Sequence, residues 1–124
     1  MRYPQLLIYE SDGRLAALLR ETARDRKWAL REPRQPESCL DLLRGECPSV
    51  LVLKMGRSPE RELTLLERVS WLFPTTATVV VTDTENAALA GLAWDLGACA
   101  VLVPPLPRDQ LPDLVTGLMA SVEV

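Results

Sequence analysis

Four consecutive apolar residues, Val50-Leu51-Val52-Leu53, stand between Pro48 and Gly56. Two of them are β-branched, and a short unbroken apolar run bounded by a proline and a glycine reads as a strand buried on both faces, at the middle of a parallel sheet. The residue that closes this run is Lys54. In open α/β sheets ligands bind beyond the carboxyl ends of the strands, so a lysine there is the first candidate for a functional group.

The rest of the chain is consistent with one such sheet. At 124 residues and 48% hydrophobic content it is expected to form a single domain over residues 1–124 with one core. No apolar run approaches the roughly 20 residues of a membrane span, and Met1-Arg2-Tyr3-Pro4 lacks the apolar segment of a signal peptide. A cytoplasmic location without membrane association is therefore expected. Cys39, Cys47 and Cys99 are odd in number and form no C-x-x-C pair, which indicates neither a disulfide framework nor a thiolate metal site. Histidine is absent, removing the commonest general base and metal ligand.

Charge is unevenly spread. Residues 1–62 carry 12 basic and 10 acidic groups, whereas residues 63–124 carry 2 and 7, so nucleic acid is not an expected partner of the second half. The cations Arg20, Arg24, Arg26, Lys27, Arg31 and Arg34 are interleaved with Glu21, Asp25 and Glu32, a pattern that reads first as a solvated face.

Taken in order, Gln5-Leu6-Leu7-Ile8-Tyr9 reads as a first strand. A helix follows, with Asp12 as its N-cap and Leu15, Leu18, Leu19 and Thr22 on one face. Trp28–Glu32 reads as a weak strand at a sheet edge, and Pro36 opens a short helix that ends at Gly45. The central strand comes next. Ser58 is then expected as the cap and Pro59 as the first residue of a helix reaching about Trp71, with Leu63, Leu66 and Val69 on its apolar face. Ala77–Val81 is a β-branched strand closing on Thr82-Asp83-Thr84. A helix from about Glu85 to Leu96 is expected to turn Leu89, Leu92, Ala93 and Leu96 inward, with Gly97 ending it. Cys99–Val103 is the fifth strand, and Leu111, Leu114, Val115, Leu118 and Met119 form the stripe of a last helix.

Five strand–helix alternations imply a parallel sheet with right-handed crossovers and helices on both faces. The expected architecture is the flavodoxin-like three-layer sandwich with strand order 2-1-3-4-5 and five helices. In that order Glu10, Ser11 and Lys54 share one crevice, and Thr82 lies at its far side.

Along nearly its whole length the chain resembles the response-regulator receiver family. Leu6-Leu7-Ile8-Tyr9-Glu10-Ser11-Asp12 is similar to that family's first strand and acidic pair, and Pro48–Met55 to the strand that carries the phosphoacceptor. Val79-Val80-Val81-Thr82 is similar to the strand ending in a switch hydroxyl, and Gly97–Leu106 to the segment with an invariant lysine and a cis proline. The resemblance implies an aspartate where this chain has Lys54, two magnesium-binding carboxylates where it has Glu10 and Ser11, a lysine at Pro104 and an aromatic residue at Val101. Thr82 and Pro105 match the pattern.

Aspartyl phosphorylation needs a carboxylate nucleophile, a magnesium ion on oxygen ligands and a cation to offset phosphoryl charge. With Lys54 at the acceptor position, neither magnesium, nor any other cofactor, nor phosphoryl transfer is expected. Two readings of Lys54 stand side by side: an internal ion pair with Glu10, or a lysine whose stem covers apolar surface while its head reaches water. The expected function is that of a bacterial-type pseudo-receiver in two-component signal transduction, a protein-protein interaction module rather than an enzyme. The alternatives are a crevice remade for a small ligand and, from another class, an enzyme using Lys54 as a Schiff-base amine. The resemblance places the contact face on the fourth helix, fifth strand and fifth helix. There Trp94, roughly 140° around the helix from Leu89, is expected to form an apolar patch with Val101 and Leu106, for an unidentified protein partner or a homodimer. The competing reading packs Trp94 under a neighbouring element.

Overall fold

The computed structural model describes residues 3–45, 47–56, 59–82, 86–103, 105–107 and 109–123. Ser58, Asp83, Thr84, Glu85 and Pro104, expected as a cap, a strand end, a helix start and a site position, lie outside them.

Five strands, β1 (Gln5–Tyr9), β2 (Ala29–Arg31), β3 (Ser49–Met55), β4 (Ala77–Thr82) and β5 (Ala100–Leu102), alternate with five helices. The helices are α1 (Arg14–Arg26), α2 (Pro36–Leu43), α3 (Glu60–Leu72), α4 (Ala87–Asp95) and α5 (Gln110–Val122). All strand pairs are parallel, in the order β2-β1-β3-β4-β5. The apolar run is thus the centre of the sheet, as its composition requires, and extends one residue beyond Lys54 to Met55.

Side chains alternate between the two faces of each strand, so the core is double. Leu6, Ile8, Val50, Val52, Val79 and Val81 pack against Leu15, Leu19, Leu111, Val115 and Met119 of α1 and α5. Leu7, Leu51, Leu53 and Val80 pack against Leu40, Leu65, Leu66, Val69 and Ala93 of α2, α3 and α4. Gln5 joins the sheet to α2 at the opposite end from the crevice, donating from Nε2 to Leu42 O and Ser49 Oγ, both at 2.9 Å.

Several local expectations shift by a residue or a face. Pro36 is the first residue of α2 as predicted, but Pro59 is the N-cap of α3 rather than its first residue. In α1 the fully buried positions are Leu15, Ala16, Leu19 and Ala23, leaving Leu18 and Thr22 half-buried, because two alanines bring the helix close to the sheet. Leu92, predicted to face inward, is 44% exposed, and α4 buries only Ala93 completely. The segment Ala87-Ala88-Leu89-Ala90-Gly91-Leu92-Ala93-Trp94 is apolar on every side, so periodicity has no polar face to choose against.

Candidate functional site

Alternation along β3 sends Val50 and Val52 to the α1–α5 layer, and Lys54 follows them. Along β1, Leu6 and Ile8 take the same side, and Glu10 follows. Tyr9 is registered against Leu53, so Glu10 and Lys54 are the next lateral neighbours, on the side where α1 begins. The first turn of a helix offers unsatisfied N–H groups and the positive end of the helix dipole. Carboxylates placed there are stabilised without any metal.

Both oxygens of Glu10 are used in this way. Oε1 accepts from Leu15 N and Oε2 from Ala16 N, each at 2.8 Å, with Glu10 only 8% exposed. Gly13, the N-cap of α1, has φ +75°, a left-handed conformation that glycine adopts at little cost. The turn brings Asp12 back over the helix end, where Oδ1 accepts from Arg14 N at 3.1 Å. Its other oxygen, Oδ2, accepts from Lys54 Nζ at 2.8 Å. The Lys54 ammonium and then the Arg14 amide hold the Asp12 carboxyl well below the usual range, at about 2. An ion pair therefore does join β3 to the β1–α1 turn, and among the described residues its carboxylate is Asp12, not the expected Glu10, which is held by the helix amides. The Lys54 side chain is 15% exposed, so its stem is largely covered while its ammonium is paired at the surface end of the cleft.

These groups lie in a cleft of about 500 Å³ lined by Tyr9, Glu10, Ser11, Asp12, Arg34, Lys54, Gly56, Arg61 and Glu62. Among the described residues lining it, three carboxylates face three cations, so these groups offset one another's charge. Burial raises the Tyr9 phenol above its usual range, which keeps it neutral. A magnesium site needs several oxygen ligands in near-octahedral array. Here Glu10 is committed to two amides and Asp12 to an amide and an ammonium. Among the described residues no cluster of three or more His, Cys, Asp or Glu side chains is placed to hold a metal. The acidic groups suit a lysine better than a divalent cation.

Glu10, Ser11 and Lys54 thus come together as predicted. Thr82 is opposite Met55 in the register and 2% exposed, and it is not part of the cleft lining; Pro105 lies exposed in the loop after β5. The predicted patch of Trp94, Val101 and Leu106 is divided. Trp94 is 51% exposed, but Val101 packs with the α2–α4 layer and Leu106 with the α1–α5 layer. The exposed apolar groups on that side are Leu92, Trp94 and Val103. Sequence reasoning took Asp12 for the N-cap of α1, which is Gly13, and so missed its pairing with Lys54; it also missed the cleft residues Arg34, Arg61 and Glu62, which carry no local signal.

No protein-family model matches the sequence, and no curated protein does. Solved structures do. A signal receiver domain from Vibrio parahaemolyticus superposes with a TM-score of 0.81 at 17% identity, covering 98% of this chain and 94% of that one. A CheY-like response regulator receiver domain from Methanospirillum hungatei gives 0.79 at 15% identity, with 98% of each chain covered. The receiver domain of NtrX from Brucella abortus gives 0.78 at 18%, covering 94% of this chain and 99% of that domain. Together with the strand order, these likenesses identify the fold of this chain as that of the response-regulator receiver domains.

Proposed function

We propose that this chain is a receiver-fold signalling module in which the phosphoacceptor position has become half of an internal ion pair, so that it works by protein contact and not by aspartyl phosphorylation. The observation that carries the reading is the 2.8 Å contact between Lys54 Nζ and Asp12 Oδ2. It sets an ammonium at the end of the central strand, where a receiver would need a carboxylate nucleophile. It also engages an acidic group that would otherwise be open to magnesium. With no carboxylate at the acceptor position and, among the described residues, no metal cluster, the module in this reading is a non-enzyme whose output is its shape. The contact face in this reading is α4, β5 and α5, where Leu92, Trp94 and Val103 are exposed, in a cytoplasmic setting of two-component type. No helix among the described residues is long and apolar enough to cross a membrane.

The test is a titration of the 15N-labelled protein with magnesium and beryllofluoride, followed by amide chemical shifts. Leu15, Lys54 and Thr82 are expected to stay unchanged at millimolar concentrations. A saturable shift at Thr82 would contradict the proposal. A second reading, a small anionic ligand in the cleft, is favoured by Arg34 and Arg61 in its lining. Inorganic phosphate added without magnesium separates the two, since only that reading expects saturable shifts at Tyr9 and Arg61.

A further inference from the structure

The two edges of the sheet carry opposite charge. At the β2 edge, residues 20–34 hold six cations against three carboxylates. Arg20, Arg24, Arg26, Lys27, Arg31 and Arg34 are all exposed, and among the described residues none of them forms an ion pair. Toward the β5 edge, the described residues between 86 and 123 hold four carboxylates, Asp95, Asp109, Asp113 and Glu123, and no cation. On this side the C-terminal ends of α3 and α4 meet, since Ser70 Oγ donates to Leu96 O at 2.7 Å. A groove between them is lined by Glu67, Ser70, Trp71, Asp95, Leu96 and Gly97. Trp71 is 82% exposed, the most exposed of the large apolar side chains described, while Glu67 and Asp95 are exposed and outside every described ion pair.

From this we infer that the α3–α4 groove is a docking site for the basic α1–β2 face of a second copy of the same chain. An indole flanked by two carboxylates suits a guanidinium, which stacks on the ring while pairing at its rim, and that face presents arginines along one helix and one edge strand. Twofold pairing through either face would set like charges against each other, which an interface penalises. The contact is therefore heterologous, basic edge to acidic edge. Such contacts repeat into open chains unless the rotation closes. It involves neither Lys54 nor Asp12, so it stands or falls separately from the reading of the cleft.

The test is sedimentation velocity over a concentration series in about 0.02 M and about 0.5 M salt, where the screening length differs severalfold. The wild-type protein is expected to associate with rising concentration at the lower salt and to be monomeric at the higher. Two surface variants, checked by circular dichroism, sharpen the result. Arg24→Gln with Arg31→Gln removes the basic face, and Glu67→Gln with Asp95→Asn removes the acidic one. Each alone is expected to weaken association at least tenfold. An equimolar mixture of the two retains one intact interface and is expected to form a discrete heterodimer. A wild-type protein that stays monomeric at low salt, an association indifferent to salt, or a mixture no larger than its separate components would overturn the inference.

Discussion

The cleft at the ends of β1 and β3 and the surface formed by α3 and α4 treat their groups in opposite ways. In the cleft the buried groups are matched. Glu10 holds the first amides of α1, Asp12 holds Lys54, and opposite charges balance. On the other side α4 buries one residue fully, while Trp71, Leu92 and Trp94 stand at 82%, 44% and 51% exposure. A matched site offers little to an incoming ligand. An uncovered apolar surface gains from any partner that excludes water from it. In the proposal made above, binding capacity lies on the helices and not in the crevice.

The contrast is broken most strongly by truncating one leucine on each side. Leu53, wholly buried in the central strand, is expected to cost about 2–5 kcal/mol as Leu53→Ala. Leu92→Ala is expected to cost about 0.5 kcal/mol or less beyond helix propensity, as exposed positions usually do. Urea unfolding measures both, and equal losses would mean that α4 is as well anchored as the central strand.

A smaller effect probes where α4 is fastened. Gly97 has φ +113°, and a Cβ there would lie 2.1 Å from Ser70 Oγ and 2.8 Å from Ser70 Cβ. Gly97→Ala must therefore displace Ser70 from Leu96 O and strain the backbone, at a cost of about 1–3 kcal/mol. A neutral result in the same unfolding assay would show that the end of α4 yields freely.

The helices were readable from sequence to the extent that their patterns contained contrast. The strand order follows from five alternations and one uninterrupted apolar run, and Pro36 marks the start of α2 because its fixed φ and missing N–H suit only that position. Leu92 was misplaced because a helix apolar on all sides has no amphipathic phase. That among the described residues Asp12 and not Glu10 hydrogen-bonds Lys54 is illegible in the sequence for a different reason. Sequence spacing sets Glu10 beside Lys54, and the structure keeps them as lateral neighbours, but which carboxylate takes the ammonium depends on a left-handed turn at Gly13 and on the free amides of α1. Those are three-dimensional facts that no spacing encodes.

The thiols provide a milder comparison between inside and outside. Burial pushes the Cys39 thiol up to about 12, whereas Cys99 is exposed and Cys47 partly so. Iodoacetamide at pH 8 is expected to modify Cys99 fastest, Cys47 more slowly and Cys39 only on unfolding, since the thiolate is the reactive form. Mass spectrometry of peptides from the native protein reads the order, and early labelling of Cys39 would reveal opening of the α2 layer.

The central claim, that the protein closes its own cleft through Lys54 and Asp12, is tested most directly by the titration of Asp12 itself. Its folded-state pKa is depressed to about 2 from an ordinary 3.8. The folded protein therefore binds fewer protons than the unfolded chain between those values. The pair's stabilisation is complete above about pH 5 and lost as the pH falls through about 2. At 38% exposure the Asp12 side chain is screened by water, which limits that contribution to about 1 kcal/mol. Carboxyl-carbon NMR of Asp12 in the wild-type protein and in Lys54→Met measures it. A midpoint near 2 that rises toward 3.8 in the variant is the expected result; a wild-type midpoint near 3.8, unchanged by removing the lysine, would contradict the account.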